Sequence, residues 1–525
     1  MQKCAAPGGE MGTWRTMKVL VTGATGLVGA HTTAALREAG HEVVAFVRDP
    51  ARLELAMESL GTPVPDHVVG DMTNRADVER ALDGVEAVVH CAAIVSLDHR
   101  RATETMEGNL AGLTNVLEAA TERALDPIIH TSSTSALFTP EAGVLTSDHP
   151  VSNSTDAYGA SKAACEVLAR DYQERGAPVT ITYPSGILGP PAGEAFGETA
   201  EGVSVAVAAG VMPLRRGALS WIDVRDLAAA NAALVESGRG PRRVMCGGHL
   251  VTMERLAEML QSLTGRRIRI APVSPPVLRG IGSGLDALRA VLPLNTPFSR
   301  EAMDLLTFWA GATSEDLDEL GIELRPAQDT LRDSMLSWHR AGMLNDRQMG
   351  TLASGTARSE GSASGAVGTP PRGIRVPARV LASEPFRKAA PKVVPAFHRA
   401  VLKLSGGRTL LSTAANPMLM LTASGAKSGE PRQTPLAAVP LDDGSFIVVG
   451  SNFASDKHPA WTANLLAHPE ATVNFRGRET AVRARLMDDE EVDALWDELV
   501  AWYPNWSEYT GITERKFRVF SLEPK

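Results

Sequence analysis

Cysteine is scarce in this chain of 525 residues, where it occurs only four times, at widely separated positions. There is no Cys-x-x-Cys pair, and histidines and cysteines do not cluster at the spacing of zinc ligands, so the sequence predicts no metal site. We expect the thiols to be reduced and mostly structural, as in a cytosolic protein. They are Cys4, Cys91, Cys165 and Cys246.

Long apolar runs and an excess of positive charge are also absent. No stretch reaches the roughly 18 apolar residues of a membrane span, and the first residues lack the apolar core of a signal peptide. The 52 lysines and arginines are outnumbered by 61 aspartates and glutamates, so no net positive field attracts nucleic acid. We therefore expect a cytoplasmic protein that binds small molecules, with no nucleic-acid partner and no integral membrane segment. The sequence leaves open whether the chain forms a homo-oligomer.

Composition divides the chain into four parts. Residues 1–17 form an N-terminal tail, and residues 345–379 are rich in Gly, Ser, Ala, Thr and Pro, which predicts a flexible linker. Residues 18–344 alternate short β-branched runs with helical patterns, which predicts an α/β Rossmann domain with a doubly wound parallel sheet. Residues 380–525 hold closely spaced strand-like runs with short helical inserts, which predicts a small antiparallel barrel with helices.

A glycine-rich turn follows the first apolar strand, KVLVT, and opens a helical pattern. Glycines at these positions permit a tight turn, a close approach of the backbone to a pyrophosphate and close helix–strand packing. The helix N-terminus then faces the phosphates. We therefore predict a dinucleotide site here, formed by Gly23, Thr25, Gly26, Leu27, Val28 and Gly29.

The end of the second strand indicates which dinucleotide binds. An acidic residue there would bind the ribose 2′-hydroxyl, but the chain carries Arg48 and Arg52, which could hold a 2′-phosphate and favour NADP. The two arginines could instead be solvated, and Asp49 could turn toward the ribose, which leaves NAD open. After the third strand, Asp71 and its neighbour Met72 are candidates for the adenine side, although Asp71 could equally be a turn residue.

A tyrosine and a lysine stand four residues apart in the segment YGASK, so Tyr158 and Lys162 lie on one face of a predicted helix. A cation one turn away stabilises the phenolate, so the phenol can exchange a proton with an alcohol or carbonyl oxygen. Upstream, the strand PIIHTS ends in three hydroxyl residues, at the strand end where open α/β sheets bind ligands. We place Ser133 on the substrate oxygen, with Ser132 and Thr131 as competitors.

Several motifs of the first half together resemble the extended short-chain dehydrogenase/reductases, in particular their epimerase/dehydratase and dihydroflavonol-reductase-like branch. The motifs are VTGATGLVG, the HCAA segment at 90–93, Asn109, Ser133, YGASK and SGILGP at 185–190. The resemblance implies that Tyr158 is the acid/base, Lys162 its modulator and a ribose ligand, and Ser133 the oxyanion partner. It also implies that Asn109 orders a proton relay and that Ala92 of the HCAA segment lies beside the cofactor.

Three segments of the second half suggest a ligand site. The turn TASGAKSGEPR combines small residues with two cations and suits a phosphate, although a basic hairpin is the plain alternative. A polar loop follows a later strand, and an aromatic cluster near the end suggests a stacking wall over a planar ligand or, alternatively, a hydrophobic cap on the barrel. The residues concerned are Lys427, Ser428 and Arg432 in the turn, Ser451 and Asn452 in the loop, and Tyr503, Trp506 and Tyr509 in the cluster.

In this order the three segments resemble the deazaflavin-dependent nitroreductase and quinone-reductase family, whose members are split β-barrels that bind coenzyme F-420. The resemblance implies that the turn holds the phosphate and acidic tail of the coenzyme, that the loop lies by its ring, and that the aromatic cluster lines the substrate side. Ala426 and Trp506 depart from the family pattern, where arginine and tyrosine are common. The preceding basic helix FHRAVLKLSGG is predicted to dock on the domain or to touch a membrane surface weakly.

These features predict a bifunctional oxidoreductase. Its first half would interconvert a carbonyl and an alcohol with NADP(H), and its second half would reduce a quinone, an enone or a nitro compound with reduced F-420. One alternative is that the first half epimerises or dehydrates a nucleotide sugar with the same tyrosine and lysine. The other is a non-catalytic redox-sensing module whose second half only binds the deazaflavin.

Overall fold

The computed structural model describes residues 15–94, 102–154, 157–212, 217–271, 273–289, 300–355, 417–441, 443–475 and 478–525. These residues form two compact units. Unit 1 comprises nearly all described residues up to Gly355, and unit 2 contains those from Pro417 onward.

Unit 1 alternates strands with helices along most of its length. In chain order, its strands are β1 (Lys18–Thr22), β2 (Glu42–Val47), β3 (Asp66–Val69), β4 (Ala87–His90), β5 (Ile128–Thr131), β6 (Val179–Pro184), β7 (Gly186–Leu188), β8 (Val211–Met212), β9 (Ala218–Asp223), β10 (Arg242–Cys246), β11 (His249–Thr252) and β12 (Arg269–Ile270). Its helices are α1 (Leu27–Glu38), α2 (Pro50–Ser59), α3 (Arg75–Ala81), α4 (Ala102–Glu122), α5 (Ala157–Glu174), α6 (Glu198–Ala209), α7 (Val224–Ala233), α8 (Met253–Thr264), α9 (Pro275–Arg289), α10 (Arg300–Phe308), α11 (Glu315–Glu319), α12 (Ala327–Arg340) and α13 (Asp346–Met349).

Among the described residues, seven strands form a parallel sheet in the order β10-β6-β5-β4-β1-β2-β3. Successive residues of a strand point to opposite faces, and the core follows this rule: Leu20 belongs to one apolar cluster, whereas Val19 and Val21 belong to another. A sheet covered on both faces requires apolar residues at every position, which explains the continuous β-branched runs in the sequence. The predicted doubly wound Rossmann fold is confirmed.

Two smaller sheets in the described ranges use strands from the second half of unit 1. Strands β11, β9 and β7 form one, and β12 pairs with β8 in another. In the part of unit 1 that the structure describes, two buried aspartates tie these segments to later ones. Asp223 caps α7 and accepts a hydrogen bond from the Thr330 hydroxyl at 2.8 Å, and Asp226 accepts a hydrogen bond from the backbone N–H of Arg325.

Unit 2 is a closed barrel with helices. Its elements are β13 (Met418–Ser424), β14 (Pro431–Pro440), β15 (Phe446–Val449), α14 (Ala460–Ala467), β16 (Glu470–Phe475), β17 (Arg478–Leu486), α15 (Asp489–Trp502), α16 (Asn505–Thr510) and β18 (Val519–Pro524). The strand order is β13-β14-β15-β18-β17-β16, every pair is antiparallel, and β13 also pairs with β16, which closes the barrel. The predicted antiparallel barrel is confirmed.

The sixth strand, β18, is absent from the runs that the sequence pattern predicts as strands. Its apolar stretch VFSL is only four residues long, so periodicity carries little signal there. Phe520 and Leu522 nevertheless lie in the core with almost no exposure, because β18 fills the position between β15 and β17. Barrel closure therefore depends on a segment that composition alone does not single out.

Two predicted boundaries need correction. Residues 345–355, assigned to the linker, form α13 and a 3-10 helix, and the side chains of Asn345 and Gln348 cap the helix start reciprocally. Met349 is fully buried, which explains why a Gly- and Ser-rich segment folds here. Met17, assigned to the tail, is also buried, in the apolar cluster that contains Val19 and Val21. The rest of the predicted linker and the basic helix before Pro417 lie outside the described residues.

None of the helices in the described ranges is both long enough and apolar enough to cross a membrane. Within the same ranges, no three His, Cys, Asp or Glu side chains come together in a way that could hold a metal ion.

Candidate functional site

The glycine turn leaves the start of α1 open for an anion. Gly26 is the N-cap of α1, and no side chain caps this end. The Gly26 N–H donates to the Gly23 carbonyl at 2.8 Å, which closes the turn. A Cβ on Gly29 would lie 2.3 Å from that same carbonyl oxygen, so only glycine fits. Uncapped N–H groups at a helix N-terminus bind phosphates well, so this turn suits a pyrophosphate.

The carboxyl ends of β1 and β4 meet beside this turn. Gly23 has a φ of 72°, and a Cβ on it would lie 2.8 Å from the backbone of Ala92. The Thr22 hydroxyl accepts a hydrogen bond from the Ala92 N–H at 3.2 Å and lies 2.8 Å from Nδ1 of His90. Ala92 is therefore placed next to the glycine turn. The sequence patterns did not single out Thr22. A hydroxyl residue at the end of an apolar strand, directly before a glycine, is nevertheless a signal that could have identified it.

The end of β2 presents two arginines and one aspartate. Asp49 caps α2, because its carboxylate accepts a hydrogen bond from the Ala51 N–H at 3.1 Å. Arg48 and Arg52 are exposed, and in the described part of the chain neither lies within ion-pair distance of a carboxylate. The aspartate thus has a structural task, while the two guanidinium groups remain available at this edge.

Asp71 and Met72 follow β3. One oxygen of the Asp71 carboxylate accepts hydrogen bonds from the backbone N–H and the hydroxyl of Thr73, both at 2.8 Å. These bonds lower the pKa of Asp71. The Met72 carbonyl accepts a hydrogen bond from the Asn115 side chain at 2.9 Å. The structure therefore gives Asp71 the turn role that the sequence left open, and its contact with adenine stays a prediction.

Tyr158 and Lys162 lie one turn apart on α5. The Lys162 ammonium is 5.9 Å from the centre of the Tyr158 ring, and Lys162 is only 8% exposed. Burial lowers the pKa of Lys162, whereas nearby acidic groups, Glu198 and Glu166 among them, act in the opposite direction. A buried cation this close to a phenol is suited to stabilise the phenolate.

Asn109 joins the segment after β4 to α5. Its side-chain oxygen accepts a hydrogen bond from the Ile94 N–H at 2.6 Å, and its side-chain nitrogen donates to the Ile94 carbonyl at 2.9 Å. The same nitrogen donates to the Ser161 hydroxyl at 3.0 Å, between Tyr158 and Lys162 in sequence. This geometry suits the ordering role that the resemblance implies for Asn109.

The three hydroxyls at the end of β5 have different partners. Ser132 donates to the Glu166 carboxylate at 2.9 Å, and the Thr131 hydroxyl lies 3.5 Å from the Cys91 sulfur. The Ser133 hydroxyl accepts a hydrogen bond from the Ser135 N–H at 3.1 Å, which leaves its own proton available for a substrate oxygen. The geometry thus suits Ser133 for a substrate oxygen and ties up Ser132, and the choice of Ser133 stays a prediction.

Two buried histidines stack behind these strand ends. The rings of His90 and His130 are 5.6 Å apart, and both are at most 4% exposed. Burial lowers the pKa of His90 to about 3 and that of His130 well below its usual value, so both are neutral near pH 7. Neither ring nitrogen of His130 has a hydrogen-bond partner among the described residues.

In unit 2, the turn between β13 and β14 exposes the residues predicted to hold a phosphate. Lys427, Ser428 and Arg432 are all exposed, and Arg432 forms a loose ion pair with Glu430 at 3.5 Å. The turn is anchored from α14, because the Asn464 side chain accepts a hydrogen bond from the Ala426 N–H at 2.9 Å. An exposed pair of this kind is weak, so the cations stay accessible to an anionic ligand.

The loop that carries Ser451 and Asn452 has a left-handed backbone. Asn452, Phe453 and Ala454 have φ values of 47°, 52° and 57°, which costs roughly 1 kcal/mol or more per non-glycine residue. The Arg515 guanidinium holds this loop, since it donates to the carbonyls of Gly450, Ser451 and Ser455 at 3.1, 2.8 and 2.9 Å. The sequence patterns did not single out Arg515, because an arginine that lies 60 residues after Ser455 carries no local signal for the loop.

The aromatic cluster is buried. Tyr503, Trp506 and Tyr509 are 6%, 2% and 2% exposed and pack with Ile447 of β15 and Val519 of β18. The Tyr503 hydroxyl donates to the Pro417 carbonyl, and its ring centre lies 4.6 Å from that of Trp506. This placement suits a hydrophobic cap on the barrel, and the stacking wall over a planar ligand stays a prediction.

Comparison with known proteins relates each half of the chain to a family. Residues 19–247 match the model described as the NAD dependent epimerase/dehydratase family, and residues 396–524 match that of the F-420H(2)-dependent quinone reductase. Sterol demethylase protein B of Methylococcus capsulatus is 30% identical over 343 residues, which cover 62% of this chain and 100% of that protein. The dTDP-4-dehydro-6-deoxy-D-allose reductase of Streptomyces bikiniensis is 28% identical over 282 residues, which cover 50% of this chain and 86% of that protein.

Among solved structures, the crystal structure of gox2253 resembles unit 1. The two agree with a TM-score of 0.53 and 25% sequence identity, over 63% of this chain and 100% of that chain. The agreement supports the assignment of the parallel sheet to the Rossmann class.

The buried histidine pair predicts a loss of stability in acid. Because both folded-state pKa values lie below the unfolded value of about 6.5, the unfolded chain binds protons that the folded chain does not bind as the pH falls below about 6.5. Stability is therefore complete above about pH 7 and falls on acidification, by at most about 1.4 kcal/mol per pH unit for each histidine. We expect His130→Met to reduce this loss at little cost near pH 7, because its ring nitrogens have no partners to lose.

Urea unfolding at about pH 7.5 and about pH 5.5 measures the effect, with the exposed His67→Met as the matched control. The control should lose as much stability in acid as the unchanged chain. An equal acid loss in His130→Met would show that the buried pair does not titrate on unfolding as described.

Proposed function

The chain belongs to the NAD dependent epimerase/dehydratase family and carries an F-420H(2)-dependent quinone reductase domain, and on this basis we propose that it is a bifunctional oxidoreductase. Unit 1 interconverts a carbonyl and an alcohol with NADP(H). Unit 2 reduces a quinone, an enone or a nitro compound with reduced F-420. The observation that carries the proposal is the arrangement of Tyr158, Lys162 and Ser133, in which a buried ammonium lies beside the phenol and the Ser133 hydroxyl accepts a hydrogen bond from the Ser135 N–H, whereas Ser132 donates to Glu166.

The residues of unit 1 fit a dinucleotide, since added Cβ atoms at Gly23 and Gly29 would collide with backbone and α1 begins without a side-chain cap. The pyrophosphate would lie at residues 23–29, with Ala92 and Met72 beside the nucleotide. The bound dinucleotide supplies the hydride donor or acceptor. Tyr158 transfers a proton to or from the substrate oxygen, and Ser133 donates a hydrogen bond to the same oxygen.

The neighbours of Tyr158 prepare it for this task. Lys162 stabilises the phenolate from one turn away and would hold the nicotinamide ribose of a bound dinucleotide. Asn109 fixes the segment after β4 to α5 through its three hydrogen bonds. Each residue thus has a role that its contacts in the structure allow.

For the substrate of unit 1 we propose a sterol alcohol or its ketone. This rests on the similarity to sterol demethylase protein B, of which the chain covers the whole length. A nucleotide sugar is the second candidate, because the chain also resembles a dTDP-4-dehydro-6-deoxy-D-allose reductase and the same tyrosine and lysine serve epimerases. Turnover without net oxidation of the dinucleotide would identify an epimerase.

For unit 2, the exposed Lys427 and Arg432 fit an acidic ligand such as the phosphate-bearing tail of F-420. Ser451 and Asn452 would lie by the deazaflavin ring on the loop that Arg515 holds. The bound coenzyme supplies hydride. The rival proposal, a unit that senses redox state by binding F-420, predicts binding without oxidation of the reduced coenzyme by quinones.

Replacing Tyr158 by Phe should abolish reduction of a 3-ketosterol by NADPH. Because the phenol moves the proton, we expect kcat to fall by about 100-fold or more, with NADP affinity nearly unchanged. Tyr172→Phe is the control, since Tyr172 lies on the same helix but near its C-terminal end, whereas Tyr158 and Lys162 lie near its start. A panel that includes a TDP-4-keto-6-deoxy sugar decides the substrate class. Full activity of Tyr158→Phe on every substrate that the unchanged chain turns over would rule out the proposed acid/base.

The two arginines after β2 should select NADP over NAD. We expect the double variant Arg48→Ala/Arg52→Ala to weaken NADP binding by roughly tenfold or more, because each lost charge-assisted hydrogen bond to the 2′-phosphate is worth about 1.5–3 kcal/mol. NAD binding should change little, and Arg37→Ala, at the far end of α1, is the charge-matched control. Calorimetric titration measures both affinities. Equal weakening for NAD and NADP would refute selection at this edge.

A further inference from the structure

Glu166 is a buried carboxylate that the proposed reaction does not use. It lies on α5, one turn after Lys162, and its side chain has no exposed surface. Three side chains donate to it: Ser132 at 2.9 Å, Arg170 at 2.7 Å and Tyr183 at 2.5 Å. A charge buried this deeply is tolerated only when it is paired and hydrogen-bonded, and Glu166 meets both conditions.

The donors come from different elements. Ser132 follows β5, Tyr183 belongs to β6, and Arg170 lies one turn further along α5. Arg170 also donates to the His149 carbonyl at 2.9 Å, so the network extends to the loop before α5. Glu166 therefore ties the helix that carries the tyrosine and lysine to the strand end that carries the serine.

A contribution to the stability of the fold does not by itself explain why the chain buries a paired carboxylate such as Glu166. Buried ion pairs often contribute no more to the free energy of unfolding than apolar residues of the same size do, whereas they impose a strict geometry on the groups that they join. The geometry imposed here is local. The Glu166 carboxylate accepts a hydrogen bond from the Ser132 hydroxyl, whereas the hydroxyl of the next residue, Ser133, can donate its proton to a substrate oxygen.

We propose that Glu166 is a positioning residue, which holds the carboxyl end of β5 against α5 so that Ser133 and Tyr158 reach the same substrate oxygen. This inference rests on the proposed reaction of unit 1. Ser132 acts in it through Glu166 and not on the substrate. Tyr183, which donates to the same carboxylate from β6, anchors the far side of the network.

Two variants test the inference, and each of them lacks one of the hydroxyl groups that donate to the Glu166 carboxylate. Ser132→Ala cuts the connection to the end of β5, and Tyr183→Phe cuts the connection to β6. Both should lower the thermal unfolding midpoint. Only Ser132→Ala should also lower kcat for 3-ketosterol reduction, by roughly tenfold or more, because small displacements of reacting groups are costly. The KM for the sterol and the affinity for NADP should stay within about twofold in both.

Glu166→Gln separates positioning from direct contact. If Ser132 acts through Glu166, the double variant Ser132→Ala/Glu166→Gln should be hardly slower than the slower single variant. If Ser132 touched the substrate itself, the two losses would multiply. Multiplying losses, or an equal fall of kcat in Tyr183→Phe, would overturn the inference.

Hydrogen exchange provides a measurement that needs no substrate. The Ser132 amide donates to the Thr182 carbonyl at 2.9 Å, so the peptide around residues 131–137 reports the end of β5. Exchange there should be faster in Ser132→Ala and Glu166→Gln than in Tyr183→Phe. Unchanged exchange in the first two variants would refute the positioning role. If the unchanged chain reduced no ketosterol, the proposed substrate would fail, and exchange would still decide the role of Glu166.

Discussion

The candidate site of unit 1 depends on the close approach of two backbones, at Gly23 and Ala92. Without a side chain at Gly23, the carboxyl ends of β1 and β4 meet, and the turn into α1 directs uncapped N–H groups to the same edge. β5 pairs with β4, so its terminal hydroxyl residues reach this edge too. A parallel sheet thus brings the turn proposed to hold the phosphates and the side chains proposed to react to the same edge from distant parts of the sequence.

Buried polar groups then organise this edge. Thr22 links β1 to the segment after β4, Asn109 links that segment to α5, and Glu166 links α5 to the end of β5. Each group is costly to bury unless its hydrogen bonds are made, and each makes them to a neighbouring element. In unit 2, Arg515 plays a similar part, because it holds a strained left-handed loop through three carbonyls.

Local patterns predicted much of this and missed what depends on distant contacts. Continuous β-branched runs predicted the first six strands of the parallel sheet, and the glycine turn and YGASK placed Gly23–Gly29, Tyr158 and Lys162 correctly on a turn and a helix face. Composition failed where the burial of a single residue decides the local structure, as at Met349. Glu166 and Arg515 carry no local signal, because their partners lie on other elements.

The most direct test of the account is a calorimetric titration of the full chain and of Gly29→Ala with NADP, each followed by F-420. A Cβ at residue 29 would lie 2.3 Å from the Gly23 carbonyl, so the account predicts that this variant loses NADP binding. The account also predicts that the unchanged chain binds one equivalent of each ligand, and that the F-420 binding of the variant equals that of the unchanged chain. NADP binding that survives the substitution intact would contradict the placement of the dinucleotide at this turn, and with it the proposed active site.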